Sequence, residues 1–256
     1  MWLFRILSVI VFVLIWEVMA LLVGVPYLLP SPVDVAFSFI ELLISPGPSG
    51  AEWAGELMGH TLISLVRVVA GFGISVLSGM VLGIAMGWWR FIRNLIEPIF
   101  ELLRPVPPLA WIPLAMLWFG LGFKPSIFLI WLGAFAPVLL NTVMGVESTS
   151  ATLIEVARTL GAKNRQLLVK VVIPSAIPSI LVGIKVGFGV GWMCLVAAEL
   201  TGSTSGLGYM IMYYQWVMQP AKTIVGMVMI GVIGVLTSFG LSKLEDSLLF
   251  WRGRIR

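Results

Sequence analysis

Long apolar runs separated by short polar segments set the rhythm of the chain. Trp2 to Val23, His60 to Trp89, the stretch that follows a polar shoulder at Glu97 to Arg104 and ends at Gly120, Ser126 to Val146, Ile177 to Leu200 and Thr223 to Leu241 are the apolar runs. A helix needs roughly 20 mostly apolar residues to cross the hydrocarbon of a bilayer. The pattern therefore predicts an all-α, polytopic membrane bundle of about six transmembrane helices, with both termini on one side. No small-residue cleavage signal follows the first run, so it is expected to be retained as a span rather than removed as a signal peptide.

Between the first two runs, Ser31 and Pro32 read as an N-cap and first helical position, with Asp34, Ser38 and Glu41 on one face and Val33, Phe37, Ile40 and Ile44 on the other. This predicts a short helix at the membrane interface, ended by the loop cluster Ser45 to Gly50. The second run stops at WWRFIRN, where Trp88, Trp89, Arg90 and Arg93 form an aromatic and basic anchor.

Composition strengthens the membrane reading: of 256 residues, 59% are hydrophobic and 11% charged, too few charges for a water-facing surface. The net charge of +4 comes from Lys and Arg at the ends of apolar runs, which speaks for topology and against a nucleic-acid partner. One side collects Arg5, Arg90, Arg93, Arg158, Lys163, Arg165, Lys170, Lys243, Arg252, Arg254 and Arg256, and the other shows Lys124 and Lys222. The positive-inside rule makes the first side, with both termini, cytoplasmic. Asp34, Glu41, Glu52 and Glu56 then lie in an external segment free of Lys and Arg.

One polar segment, EVARTLGAKNRQLLVKVVIP at residues 155–174, is therefore a cytoplasmic loop. Leu153, Val156, Ala157 and Leu160 recur at helical spacing, and Gly161 stands where a helix ends in the left-handed conformation. Ser150, or Thr152 with Glu155, caps a first helix; Asn164 caps a second, and Pro174 marks re-entry into the membrane. A stiff helical hairpin with exposed aliphatics suits docking into a groove on a partner, or is an interfacial loop without one.

EVARTLG, nine further residues and VVIP follow the spacing of the EAA loop, and the chain resembles the membrane subunits of ABC importers. Val156 replaces the family's first alanine, and Val171 and Ile173 its later aliphatics. LLPSPVDV, HTLISLVRVVAGFGISVLSGMVLGIAMG, LRPVPPLAWIPLAMLWFG, GAFAPVLLNTVMGV and VAAELTGSTSGLGYMI extend the resemblance over almost the whole chain, toward the branch that imports alkanesulfonates, taurine, nitrate and certain vitamin precursors. The resemblance implies a MetI-like fold and a single transmembrane permease domain, residues 1–256. Within it, residues 148–176 form the coupling loop. Glu155, Val156, Ala157, Arg158, Leu160, Gly161 and Pro174 become the ATPase-coupling residues. It further implies two copies of a separate ATPase subunit carrying ATP and Mg, a second permease copy in a homodimer, an extracytoplasmic binding protein, and a plasma-membrane location. The solute class it points to is a small anion, with a pyrimidine or flavin type vitamin precursor as the alternative. Outside the class, the competing readings are an ion-gradient-driven carrier and a membrane-embedded enzyme or sensor.

For the pathway, Pro105, Pro107, Pro108 and Pro113 interrupt the helix after Arg104, and irregular backbone at membrane depth survives where it is buried or lines a wet cavity. Glu17, Arg67, Lys185 and Glu199 are ionisable groups inside runs, so they are functional candidates; each also has the option of a carboxylate partner or of snorkelling. Asn141 and Thr142 are candidates for bonds between spans. No catalytic constellation is visible: His60 is the single histidine and Cys194 the single cysteine, so a metal site is not expected. GSTSGLG at Gly202 to Gly208 lacks the lysine of a phosphate loop and reads as a turn or re-entrant segment.

Overall fold

A computed structural model describes residues 2–45 and 55–249. Pro46 to Gly50, Glu52 and the basic residues Arg252, Arg254 and Arg256 lie outside the described residues. The chain divides into two compact units, one of Met1–Leu65 with Glu199–Ile233 and one of Val66–Ala198 with Gly234–Arg256.

Eleven α-helices carry the described chain: α1 (Trp2–Val23), α2 (Pro32–Ile44), α3 (Glu56–Trp88), α4 (Arg90–Leu103), α5 (Ile112–Phe119), α6 (Phe123–Glu147), α7 (Ala151–Thr159), α8 (Asn164–Leu167), α9 (Ile173–Gly202), α10 (Leu207–Trp216) and α11 (Pro220–Leu248). Among the described residues, four helical stretches are long and apolar enough to cross a membrane: α3, α6, α11 and the continuous run Asn164–Gly202. Leu7–Val23 of α1 is a shorter apolar stretch. The expected third span is not straight: α4 and Pro108–Phe119 meet at 82°, and count as a fifth crossing if taken together. The prolines after Arg104 account for the break, because each removes a backbone donor.

In the first unit, α2 begins as the sequence predicts. Ser31 Oγ accepts the Asp34 N–H at 3.1 Å, and Asp34 Oδ2 accepts the Ser31 N–H at 3.1 Å, a reciprocal box that satisfies two otherwise orphaned donors. Trp16 Nε1 ties α1 to this entry by donating to the Pro30 carbonyl at 3.1 Å. Val35 and Leu42 are buried, whereas Val33, Phe37, Ile40 and Ile44 are exposed. That apolar outer face suits contact with lipid.

In the second unit, α6 is pressed between α3 and α9 by small residues. Gly71, Ser75, Gly79, Gly83 and Gly87 recur every fourth residue on α3, and Cβ atoms added at Gly79, Gly83 and Gly87 would meet Val138, Thr142 and Val146 at 2.9, 2.6 and 2.7 Å. On α9, Cβ atoms added at Gly183 and Gly187 would stand 3.0 Å from the carbonyl oxygens of Pro137 and Ala134. Lipid tails are as apolar as the side chains, so close backbone approach and dispersion, rather than exclusion of water, hold such helices together. Asn141 and Thr142 do not bond between spans. They donate to the carbonyls four residues back, Pro137 at 2.8 Å and Val138 at 2.7 Å, which satisfies them within α6.

Candidate functional site

Two arrangements carry chemistry, one in each unit. The first is the polar loop after α6. α7 begins at Ala151 with Ser150 in the N-cap position; Ser150 makes no side-chain capping bond, and its carbonyl accepts from Ile154. Ile154 packs against the buried cluster of Val146, Val172, Ala176 and Ile180. Ala157, one turn on, is half-buried. Leu153, Val156 and Leu160 point the other way, 53%, 52% and 83% exposed, so α7 holds one apolar edge in the protein and presents another outward. Glu155 and Arg158 flank that outward edge and are exposed.

The helix ends as its glycine predicts. Gly161 has φ +86°, its N–H donates to the Arg158 carbonyl at 2.9 Å, and the Ala162 N–H reaches back to Ala157 at 3.0 Å. These two bonds define the left-handed termination that glycine alone adopts without strain. Past the turn, the structure differs from the sequence pattern in two ways. The N-cap of the second helix is Lys163, not Asn164: Gln166 Oε1 accepts the Lys163 N–H at 2.8 Å and leaves Asn164 as the first helical residue. The second helix also does not end before Pro174: α8, a π-helical turn at Leu168–Val172 and α9 run on as a single stretch, with Pro174 inside it. Pro174 supplies no N–H to the carbonyl four residues back, and the widened turn stands directly before it, with the Ile173 N–H donating to Leu168.

The second arrangement was invisible in the sequence. Three side chains cap the N-terminus of α10: His60 Nδ1 accepts the Gly206 N–H at 3.0 Å, Ser64 Oγ accepts the Leu207 N–H at 2.9 Å, and Glu199 Oε2 accepts the Gly208 N–H at 2.9 Å. The Ser64 hydroxyl in turn donates to both Glu199 oxygens at 2.8 and 2.9 Å. A carboxylate at a helix N-terminus is favoured by the helix dipole, which gives Glu199, 1% exposed, a structural reason to be where it is. Acceptance at Nδ1 puts the proton of a neutral His60 on Nε2, 3.9 Å from Glu56 Oε1. The Tyr214 hydroxyl donates to Glu56 at 2.8 Å; burial first, and then this carboxylate, hold the phenol above its usual range, so it remains a donor. Ser203 closes the GSTSGLG segment on itself by donating to the Ser205 carbonyl at 2.8 Å, and Gly206 has φ +106°. The segment is thus a turn leading into a capped helix.

Of the remaining pathway candidates, Arg67 is 2% exposed, with its guanidinium carbon 5.9 Å from the centroid of the Phe123 ring. Lys185 pairs with Glu245. Pro105 and Pro107 are exposed and Pro108 is half-buried at the bend. Arg67 and Glu199 belong to different compact units. Among the described residues, no group of three or more His, Cys, Asp or Glu side chains is arranged to hold a metal.

Several apolar helices long enough to span, with an outward-facing helical loop between two of them, fit a multi-pass membrane protein that docks a partner. The chain belongs to the family described as binding-protein-dependent transport system inner membrane component, whose profile matches residues 75–247. It is 46% identical over 241 residues to a putative ABC transporter permease of Methanocaldococcus jannaschii, covering 94% of this chain and 88% of that one. It is 40% identical to the putative aliphatic sulfonates transport permease SsuC of Bacillus subtilis, covering 98% and 88% of the two chains. Against the taurine transport system permease TauC of Escherichia coli, identity is 39% with 94% and 86% covered. The inward-facing MetNI methionine ABC transporter shares the fold, with a TM-score of 0.64 at 18% identity over 73% of this chain and 93% of that one. The chain is the non-catalytic permease subunit of an ABC importer; ATP hydrolysis belongs to a separate subunit. A gradient-driven carrier is the poorer reading.

Proposed function

We propose that this permease imports a small organic anion of the sulfonate class, and that the outward edge of α7 is the surface on which its ATPase subunit docks. The observation that carries the docking reading is the row Leu153, Val156 and Leu160, exposed on a short helix whose other side is anchored in the protein and whose end is fixed by Gly161. A helix that presents anchors at i, i+3 and i+7 fits a groove on a partner. Glu155 and Arg158 supply polar contacts at its rim, Ala157 permits close packing, and the continuous helix through Pro174 passes the displacement into α9. Residues 148–176 act as the coupling loop of a single permease domain.

The remaining assignments follow from that reading. Two ATPase copies, each with ATP and Mg, meet two copies of this chain in a homodimer, since one coupling loop per chain calls for two chains around a shared pathway. The loop and both termini face the cytoplasm, where the basic residues gather. A binding protein delivers the solute from outside. The sulfonate class is supported by the names of two relatives, for aliphatic sulfonates and for taurine, itself a sulfonate. Arg67 is the best-suited pathway group, because a guanidinium matches the paired oxygens of a sulfonate. Pro105, Pro107 and Pro108 shape the pathway wall, Glu199 orders the turn beside α10, and Lys185 acts through Glu245.

The test is uptake by proteoliposomes holding this chain, its ATPase subunit and its binding protein. ATP-dependent accumulation of a labelled alkanesulfonate, competed by excess taurine and not by a pyrimidine or flavin precursor, is the expected result. Competition by the vitamin precursor alone would overturn the solute class, and accumulation that follows an ion gradient without ATP would overturn the coupling reading.

A further inference from the structure

In the second unit a short polar linkage joins α4 to the last residue of α6, just ahead of α7. Glu147 is the last residue of α6, and the segment from it to the Ser150 cap of α7 is taut: the Ser148 N–H donates to Met144 at 2.9 Å, the Ser148 hydroxyl to Gly145 at 3.0 Å, and Thr149 is buried. A displacement of α7 cannot be absorbed there by slack chain. Across from it, Arg93 of α4 donates through Nη1 to Glu147. Its Nε and Nη2 donate to the two oxygens of Glu97 at 3.0 and 3.2 Å, which holds the guanidinium plane in the orientation that reaches Glu147. Ile92, Ile96 and Phe100 of α4 pack on the apolar cluster of Met86, Leu139 and Val143. Such contacts are non-directional and permit sliding along the helix. At its far end α4 leads through Pro105, Pro107 and Pro108, whose ring-fixed backbone is stiff, into the 82° bend.

We propose that Arg93, through Glu147, is a positioning residue that fixes the register of α4 on the end of α6 and so carries the displacement of α7 to the proline-bent segment before α5. The inference rests on α7 being the ATPase-docking element. The pair is about one-third exposed, with side-chain exposures of 36% and 37%, and an ion pair so placed adds little to stability. Its removal should therefore leave a folded permease that still binds its ATPase but converts hydrolysis into transport less well.

The experiment is a double-mutant cycle in the reconstituted importer, with Arg93→Gln, Glu147→Gln and both together, reading solute taken up per ATP hydrolysed alongside the ATPase subunit retained on purification. Retention unchanged, uptake per ATP lowered roughly three- to tenfold in each single variant, and no further loss in the double variant is the result expected of two groups acting as one linkage. Unchanged uptake per ATP in the single variants, effects that multiply in the double variant, or loss of the ATPase subunit would each overturn it. Failure of the underlying docking reading would look different: the unsubstituted chain would then purify without an ATPase subunit, and both proposals would fall together.

Discussion

Gly161 and Glu199 show what single residues contribute and why one was readable and the other was not. Gly161 acts through its own backbone, so a helical repeat followed by glycine suffices to find it. A side chain at φ +86° costs about 1–2 kcal/mol. Gly161→Ala should weaken the hairpin by that order and Gly161→Pro more, since proline also removes the N–H given to Arg158; the amount of ATPase subunit retained on purification measures both. Glu199 could be singled out as an ionisable group inside an apolar run, but its partner Ser64 lies 135 residues earlier, and Gly208 is addressed only because a turn brings α10 back. Glu199→Ala strands the Gly208 N–H and the Ser64 hydroxyl, at a cost of about 1–3 kcal/mol. The thermal midpoint of the purified protein should fall clearly, and less for Glu199→Gln, whose amide oxygen still accepts.

At the scale of elements, apolar periodicity located the long helices because each must bury or present a continuous stripe. It could not show that α4 and Pro108–Phe119 meet at 82°, nor that α8 joins α9 through a π-helical turn, since both depend on where backbone donors are missing. The small residues at every fourth place of α3 are a sequence signal that helical periodicity of large residues passes over. They predict a contrast within one helix. Gly83→Leu, whose Cβ would stand 2.6 Å from that of Thr142, should cost about 1–3 kcal/mol or more and reduce the folded yield, while Gly73→Ala, with nothing within 4 Å, should be nearly neutral. Thermal unfolding of the two variants in one detergent compares them directly.

For the whole molecule, the distribution of Lys and Arg supports the proposed orientation, and the collinear resemblance to importer permeases carried the class of function; the division into two compact units left no mark on the pattern, because α3, α9 and α11 cross its boundaries without interruption. Cysteines introduced one at a time test the orientation, since the native Cys194 is buried. A cysteine replacing Lys124 should react with an impermeant maleimide in intact cells, and one replacing Arg165 only after the membrane is opened. The reverse pattern would invert the topology and remove the loop from the ATPase.

The most direct test of α7 as the docking element is site-specific photo-crosslinking in membranes that hold the importer, with the crosslinker placed in turn at Leu153, Val156, Leu160 and the inward-facing Ile154. The ATPase subunit should be captured from the three exposed positions and not from Ile154. Capture from none of the three, in membranes where the subunit is present, would contradict the account.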